Sequence, residues 1–294
     1  MSLTFEPLSL DRQEEYRAAL NGCPQLVTSD FALANIWGWA EYYKLEWAFH
    51  KGLVFIRQNY PTPAYWAPVG AWDDYDWTDC KAMLDAASFT RVPEHLAGLW
   101  AKAFGPRMEI TENRDHWDYV YSVEEMVALK GNKFHKKKNL LNQFKKKYDY
   151  QYEPMGPECV EEVLEMQDEW YKWYEEHNPS EALKAENRAI TRVLHNFDQI
   201  DNLTGATLRI DGKVIAYTVA EPLCGDTMVI HFEKGDVRFK GVYQAINQMF
   251  LENEAGKHAY VNREQDLGDE GLRKAKLSYN PVFFLKKFEA EILS

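Results

Sequence analysis

Apolar residues recur along this chain at two spacings. Some stretches place them three to four residues apart, as on one face of a helix, and others place them in short runs that suit a strand. Asp11 opens a short helix carrying Tyr16 and Leu20, and Ser29 or Asp30 opens a second carrying Leu33, Ile36, Trp37 and Ala40. Extended runs at residues 45–49 and 53–56 flank His50-Lys51-Gly52, a hairpin turn, and residues 64–68 form a third extended piece. Helical spacing returns at 78–87 and at 93–104, the latter with proline in its first turn. Strand patterns at 107–112 and 117–122 close this half.

A similar order begins near residue 150. The spacing predicts helices over 157–174, with Val160, Val163, Leu164, Gln167, Trp170, Tyr171 and Tyr174 on one face, and over 181–197. Strands follow at 206–210, 214–219 and 228–232, joined by Asp211-Gly212 and Cys224-Gly225-Asp226. A helix over 241–254 carries the stripe Val242, Ala245, Ile246, Met249 and Phe250, a short strand surrounds Tyr260, and residues 282–292 read as one final strand. Both halves thus run helices, three-stranded meander, helix, strand, a repeat of pattern without identity. The expected fold class is α/β (α+β), with units over 1–128 and 150–294 joined by a basic linking helix over 129–149.

Composition narrows the function. The 294 residues suffice for two cores, and 46% hydrophobic with 27% charged residues describes a globular chain. A net charge of −12 excludes a protein that coats nucleic acid with its whole surface, so any polyanion must meet a local basic patch. Cys23, Cys80, Cys159 and Cys224 form no C-x-x-C pair, so neither a metal site nor a disulfide framework is expected. The N-terminus has no basic segment followed by an apolar core, and no apolar run reaches membrane length, which leads to the expectation of a cytoplasmic protein with no integral membrane segment.

The local patch lies between the halves. Residues 129–148 hold eight lysines, among them Lys136, Lys137, Lys138 and Lys145, and no acidic residue, while Leu140, Leu141, Phe144 and Tyr148 keep roughly helical spacing. Two readings stand. The lysines form a wall for phosphates, or they lie against residues 149–186, where 12 acids face Lys172 and Lys184.

The densest chemistry is near the end. Asn262-Arg263-Glu264-Gln265-Asp266-Leu267-Gly268 follows a short strand, and Asp269 caps the next helix. With Phe232-Glu233-Lys234-Gly235, with the eight residues from Lys240 to Asn247, and with the nine from Gly271 to Tyr279, this loop resembles the phosphatidylglycerol lysyltransferase C-terminal family. The segment 134–144 resembles the basic helix before the second domain of such proteins. The resemblance covers most of the chain from about residue 129.

The resemblance implies two tandem GNAT-like (acyl-CoA N-acyltransferase fold) domains related to Fem-type aminoacyltransferases. It further implies transfer of an aminoacyl group from aminoacyl-tRNA to an amine or hydroxyl acceptor, a small molecule or peptide, with no tightly bound cofactor. An acyl-CoA-dependent N-acyltransferase and a non-catalytic binding module are the alternatives. On this view Glu264 or Asp266 serves as base or orients an ammonium, Asn262 holds a carbonyl and Tyr279 donates a proton. Arg238, Lys240, Gly241, Tyr243 and Lys276 form the phosphate or coenzyme turn, where Tyr243 replaces the second small residue of the usual GNAT pattern. Glu233, Asn247 and Trp170 contact substrate, and Lys136, Lys137, Lys138 and Lys145 meet tRNA.

Overall fold

The computed structural model describes residues 3–24, 26–77 and 88–293. The first half gives β1 (Glu6–Pro7), α1 (Gln13–Asn21), α2 (Leu33–Tyr43), β2 (Glu46–His50), β3 (Leu53–Gln58), β4 (Ala64–Val69), β5 (Ser88–Pro93), α3 (Glu94–Phe104), β6 (Met108–Glu112), β7 (Asp118–Ser122) and α4 (Val123–Ala128). The basic segment is α5 (His135–Lys147). The second half gives β8 (Gln151–Pro154), α6 (Val160–His177), α7 (Glu181–His195), β9 (Thr204–Ile210), β10 (Lys213–Pro222), β11 (Thr227–Gly235), α8 (Val242–Glu254), β12 (Tyr260–Asn262), α9 (Glu270–Leu277), β13 (Phe283–Leu285) and β14 (Lys287–Ile292). The helix expected over 78–87, and Cys80 within it, lie outside the described residues.

The strands form two mixed sheets of seven, β1-β2-β3-β4-β5-β14-β6 and β8-β9-β10-β11-β12-β7-β13. Strand for strand the two orders match. Each has one parallel pair, β4 with β5 and β11 with β12, and antiparallel neighbours elsewhere. The match exposes an exchange. β7, from the first half, pairs with β12 and β13 in the second sheet, and β14, the last strand of the chain, fills the gap between β5 and β6 in the first.

The run 282–292, expected as one strand, is therefore two. β13 pairs with β7 and β14 with β5 and β6, so the chain changes sheets at Lys286. A cut at residue 128 divides the sequence pattern but leaves β7 and β14 each across the cut from its own sheet. The sequence pattern also passed over β5, whose Ser88-Phe89-Thr90-Arg91-Val92-Pro93 interrupts its apolar run with a buried arginine.

Apolar packing crosses between the halves. One core joins Phe31, Ile36, Trp47 and Trp100 to Val163, Ile190, Val193 and Tyr217 of α6, α7 and β10, and a second lies under α8 on the other face of the second sheet. α2 meets α7 at Gly38, where a Cβ would sit 3.0 Å from Val193 Cγ2 and 3.2 Å from the carbonyl oxygen of Ala189. Among the described residues no helix is long and apolar enough to cross a membrane.

Candidate functional site

β11 and β12 pair in parallel only over Thr227–Val229 and Tyr260–Asn262, so β11 runs on while β12 ends. The loop 262–268 starts at this divergence and is fixed by its own side chains. Asn262 Oδ1 accepts from Glu264 N–H at 2.8 Å and Asp266 Oδ1 accepts from Gly268 N–H at 2.9 Å, two Asx turns. Such turns let the backbone carry left-handed conformations at Glu264, Leu267 and Gly268.

One oxygen of Glu264 is held by both halves. Its Oε1 accepts from Asn35 Nδ2 of α2 at 2.7 Å and from His231 Nδ1 at 2.9 Å. His231 is the extra residue at a β-bulge, since Val219 pairs with Phe232 and Ala220 with Ile230. Its Nε2 donates to Glu221 Oε1 at 3.1 Å, and the same oxygen accepts the Ala34 N–H at 2.8 Å, so Glu221 caps the first turn of α2 across the interface. Burial disfavours a charged imidazole, but the two carboxylates outweigh it and raise the His231 pKa to about 9. The second oxygen, Glu264 Oε2, has no partner among the described residues, and the side chain is 18% exposed.

Asp266 has no oxygen to spare. It is 0% exposed and takes Arg273 through both oxygens at 2.7 and 2.9 Å and the Tyr119 hydroxyl at 2.5 Å. Although burial opposes ionisation, these donors hold its pKa down at about 2. Such a carboxylate is a poor acceptor for an amine proton, and the geometry gives it the task of fixing the loop to α9. Asn262 is likewise fully buried, with its amide nitrogen 3.0 Å from Asp118 Oδ2. Lys276, expected beside phosphate, turns inward and donates to the carbonyls of Arg263 and Gln265 at 2.5 and 2.6 Å.

Arg263 pairs with Glu233 at 2.8 Å, and Asn247 Nδ2 donates to the other oxygen of Glu233 at 2.8 Å. Glu233 and Asn247 are thus brought together, but as partners inside the divergence of the strands. Tyr279 is 7% exposed, its hydroxyl accepting from Gln244 Nε2 at 3.1 Å and its ring lying near Arg263 and Lys137.

The turn between β11 and α8 has four N–H groups already engaged. Asp236 accepts the N–H of Arg238 at Oδ1 and of Phe239 at its carbonyl, Lys240 N–H donates to Tyr148 Oη at 3.3 Å, and Val242 N–H donates to the Phe239 carbonyl. Gly241 has φ +89°, and a Cβ there would lie 2.4 Å from the carbonyl oxygen of Leu140. Close passage of α5 over the turn requires glycine at this position. Tyr243 points away into packing, accepting from Trp170 Nε1 at 3.2 Å.

Beside this turn opens a cleft of about 850 Å³ lined by Trp170, Trp173, Tyr174, Tyr148, Phe239 and Arg238, with Lys147 and Lys213 at its edges. Arg238 pairs with Asp236, and Lys234 Nζ lies 4.0 Å from the centre of the Trp170 ring. α5 leads to this cleft. Among the described residues, only Lys133 of its lysines and those just before it pairs with a carboxylate, Glu125, while Lys145 reaches Gln248 and Lys136, Lys138, Lys146 and Lys147 are exposed. The acidic residues after 149 therefore do not neutralise this face.

The structure thus gathers the expected residues into two places. Trp170 and Arg238 line the cleft, whereas Asn262, Glu264, Asp266, Glu233 and Tyr279 surround the divergence of β11 and β12. His231, Glu221 and Asn35 escaped the sequence reading. The available signal was one acidic residue in the otherwise apolar run Val214-Ile215-Ala216-Tyr217-Thr218-Val219-Ala220-Glu221, with a histidine in the strand that pairs with it.

A protein from Bacteroides thetaiotaomicron, described as a conserved protein of unknown function, superposes with a TM-score of 0.90 at 31% identity over 99% of both chains. L-PGS from Bacillus licheniformis gives 0.68 at 12% identity over 97% of this chain and 92% of that one, and FemX gives 0.56 at 10% identity over 98% and 97%. These last two share the fold. An uncharacterized protein of Mycoplasmoides gallisepticum is 23% identical over 60% of this chain, a match spanning 56% of that protein's length. The model of the family described as phosphatidylglycerol lysyltransferase, C-terminal, matches residues 25–291. The chain belongs to that family.

Proposed function

We propose that the chain transfers an aminoacyl group from an aminoacyl-tRNA to an amine or hydroxyl acceptor. The observation that carries this reading is the run of unpaired lysines on α5 that leads to an aromatic cleft beside Arg238. Phosphates follow lysines, and a terminal base stacks on aromatic rings whatever its sequence. The name L-PGS and the match to its family point the same way. An acyl-CoA donor is less favoured, because the turn that would hold pyrophosphate has spent three N–H groups within itself and a fourth on Tyr148, and is crossed by α5.

In such a transfer the acceptor nitrogen or oxygen attacks the ester carbonyl. The bond from that carbon to the ribose oxygen breaks, and the proton lost by the acceptor is matched by one gained by the ribose hydroxyl. Glu264 Oε2, without a partner among the described residues, is open to hold an ammonium or accept that proton. Asn262 and Asp266 keep the loop in shape.

A non-catalytic binding role has one observation in its favour, the burial of Asn262, Asp266 and Tyr279. The two readings separate in one assay. With labelled aminoacyl-tRNAs and a panel of amine and hydroxyl acceptors, transfer above background that falls at least tenfold in a folded Glu264→Gln variant supports the enzyme. Binding of tRNA without turnover supports the module.

A further inference from the structure

The first turn of α5 carries an electrostatic conflict. A helix N-terminus is the positive end of its dipole and ordinarily attracts acidic side chains, but this one has no acidic residue in its first turn, no side-chain cap, and the sequence His135-Lys136-Lys137-Lys138. Lys137 is the member turned inward. It is half-buried, with Nζ 3.9 Å from the centre of the Tyr279 ring, and it has no ion pair among the described residues. A second cation stands beside the same ring, the guanidinium carbon of Arg263 being 4.9 Å from its centre.

Arg263 has its own countercharge in Glu233, whose two oxygens are taken by Arg263 and Asn247. Lys137 faces the same ring with no carboxylate paired to it among the described residues. The other charged clusters around the loop contrast with this. Asp266 has Arg273, His231 has Glu221 and Glu264, and Lys287 has Asp30 and Asp118. A half-buried ammonium is costly without a partner, and a ring face offsets only part of the lost hydration.

We propose that Lys137, with Arg263 behind it and the Tyr279 ring as its floor, is a recognition site for an oxyanion, a carboxylate or a phosphate carried by a ligand. Lys137 is thereby a binding residue distinct from the exposed lysines of the same helix, which meet polyanions through their field alone. Burial and the charge of Arg263 push the Lys137 pKa down to about 8. A bound anion reverses that push, so binding near pH 8 draws a proton from solution.

Anion binding at Lys137 needs no transfer reaction and is tested by equilibrium binding to the full chain. Titration calorimetry with inorganic phosphate and, in a second arm, with acetate is run near pH 8 in two buffers of different ionisation enthalpy. The better ligand tells phosphate from carboxylate. Proton uptake is expected for that ligand, with affinity at least tenfold weaker in Lys137→Gln, partly restored in Lys137→Arg, and within twofold of the original in Lys102→Gln, an exposed lysine remote from the site. Equal affinity in the Lys137→Gln and Lys102→Gln variants, or the absence of proton uptake, overturns the proposal. A transfer assay that fails while these results hold leaves the anion site standing.

Discussion

Lys287 Nζ lies 2.7 Å from Asp118 Oδ1, and each residue is the first of the strand that its half gives to the other sheet. Both side chains are fully buried. Lys287 also pairs with Asp30, which Arg91 holds at 3.0 Å, while Asp118 accepts from Ser29 and Asn262. The two exchanged strands are thus tied by a hydrogen-bonded ionic cluster where the halves meet.

Removing one member leaves its partner buried without a countercharge. Lys287→Met is expected to destabilise the chain by about 3–5 kcal/mol, read from urea unfolding. The double variant Lys287→Met/Asp118→Asn should lose less than the sum of the two single changes, because the pair is in contact.

His231 makes stability fall in alkali. The folded imidazole titrates at about 9 against an ordinary 6.5, so the folded chain binds more protons between those values. This contribution is complete below pH 6.5 and is lost as the pH passes through 9. Unfolding free energies measured from pH 6 to 10 should fall with pH, and His231→Gln should flatten the slope.

Asp266 acts at the other end of the scale. Its pKa is about 2 when folded and 3.8 ordinarily, so its contribution is present above pH 3.8 and disappears as the pH drops through 2. Asp266→Asn is expected to cost about 1–3 kcal/mol at neutral pH and to blunt the acid limb of an unfolding curve. An unchanged acid limb would remove this assignment.

Much of this was legible in the sequence, and the exceptions have physical causes. The α8 stripe, the cap at Asp269 and the meander 46–69 depend on local periodicity and turn chemistry, which a short window contains. The exchange of β7 and β14 depends on pairing between residues far apart, and a strand pattern does not say which edge it will join. The loop 262–268 read as a dense polar site because its residues are polar. That Asp266 is saturated while Glu264 keeps one oxygen open depends on Arg273, Tyr119, His231 and Asn35, three of them far away in the chain.

Gly241 gives a test of how α5 is seated. Gly241→Ala adds a methyl against the Leu140 carbonyl at a backbone angle that alanine adopts with strain, and is expected to cost more than about 1 kcal/mol. Hydrogen exchange should rise along 135–147 in that variant, whereas protection in the first sheet should hold.

The strand exchange bears on the order of synthesis. β14 is made after every other strand of the two sheets, yet it belongs between β5 and β6, so the first sheet remains open until residue 292 has been synthesised. β7 leaves the ribosome before either of its neighbours, β12 and β13, exists. A nascent chain stopped short of residue 287 carries strand edges with no native partner, the kind of surface that invites pairing with another chain. Completion of the two sheets waits for β13 and β14, and the two halves mature together.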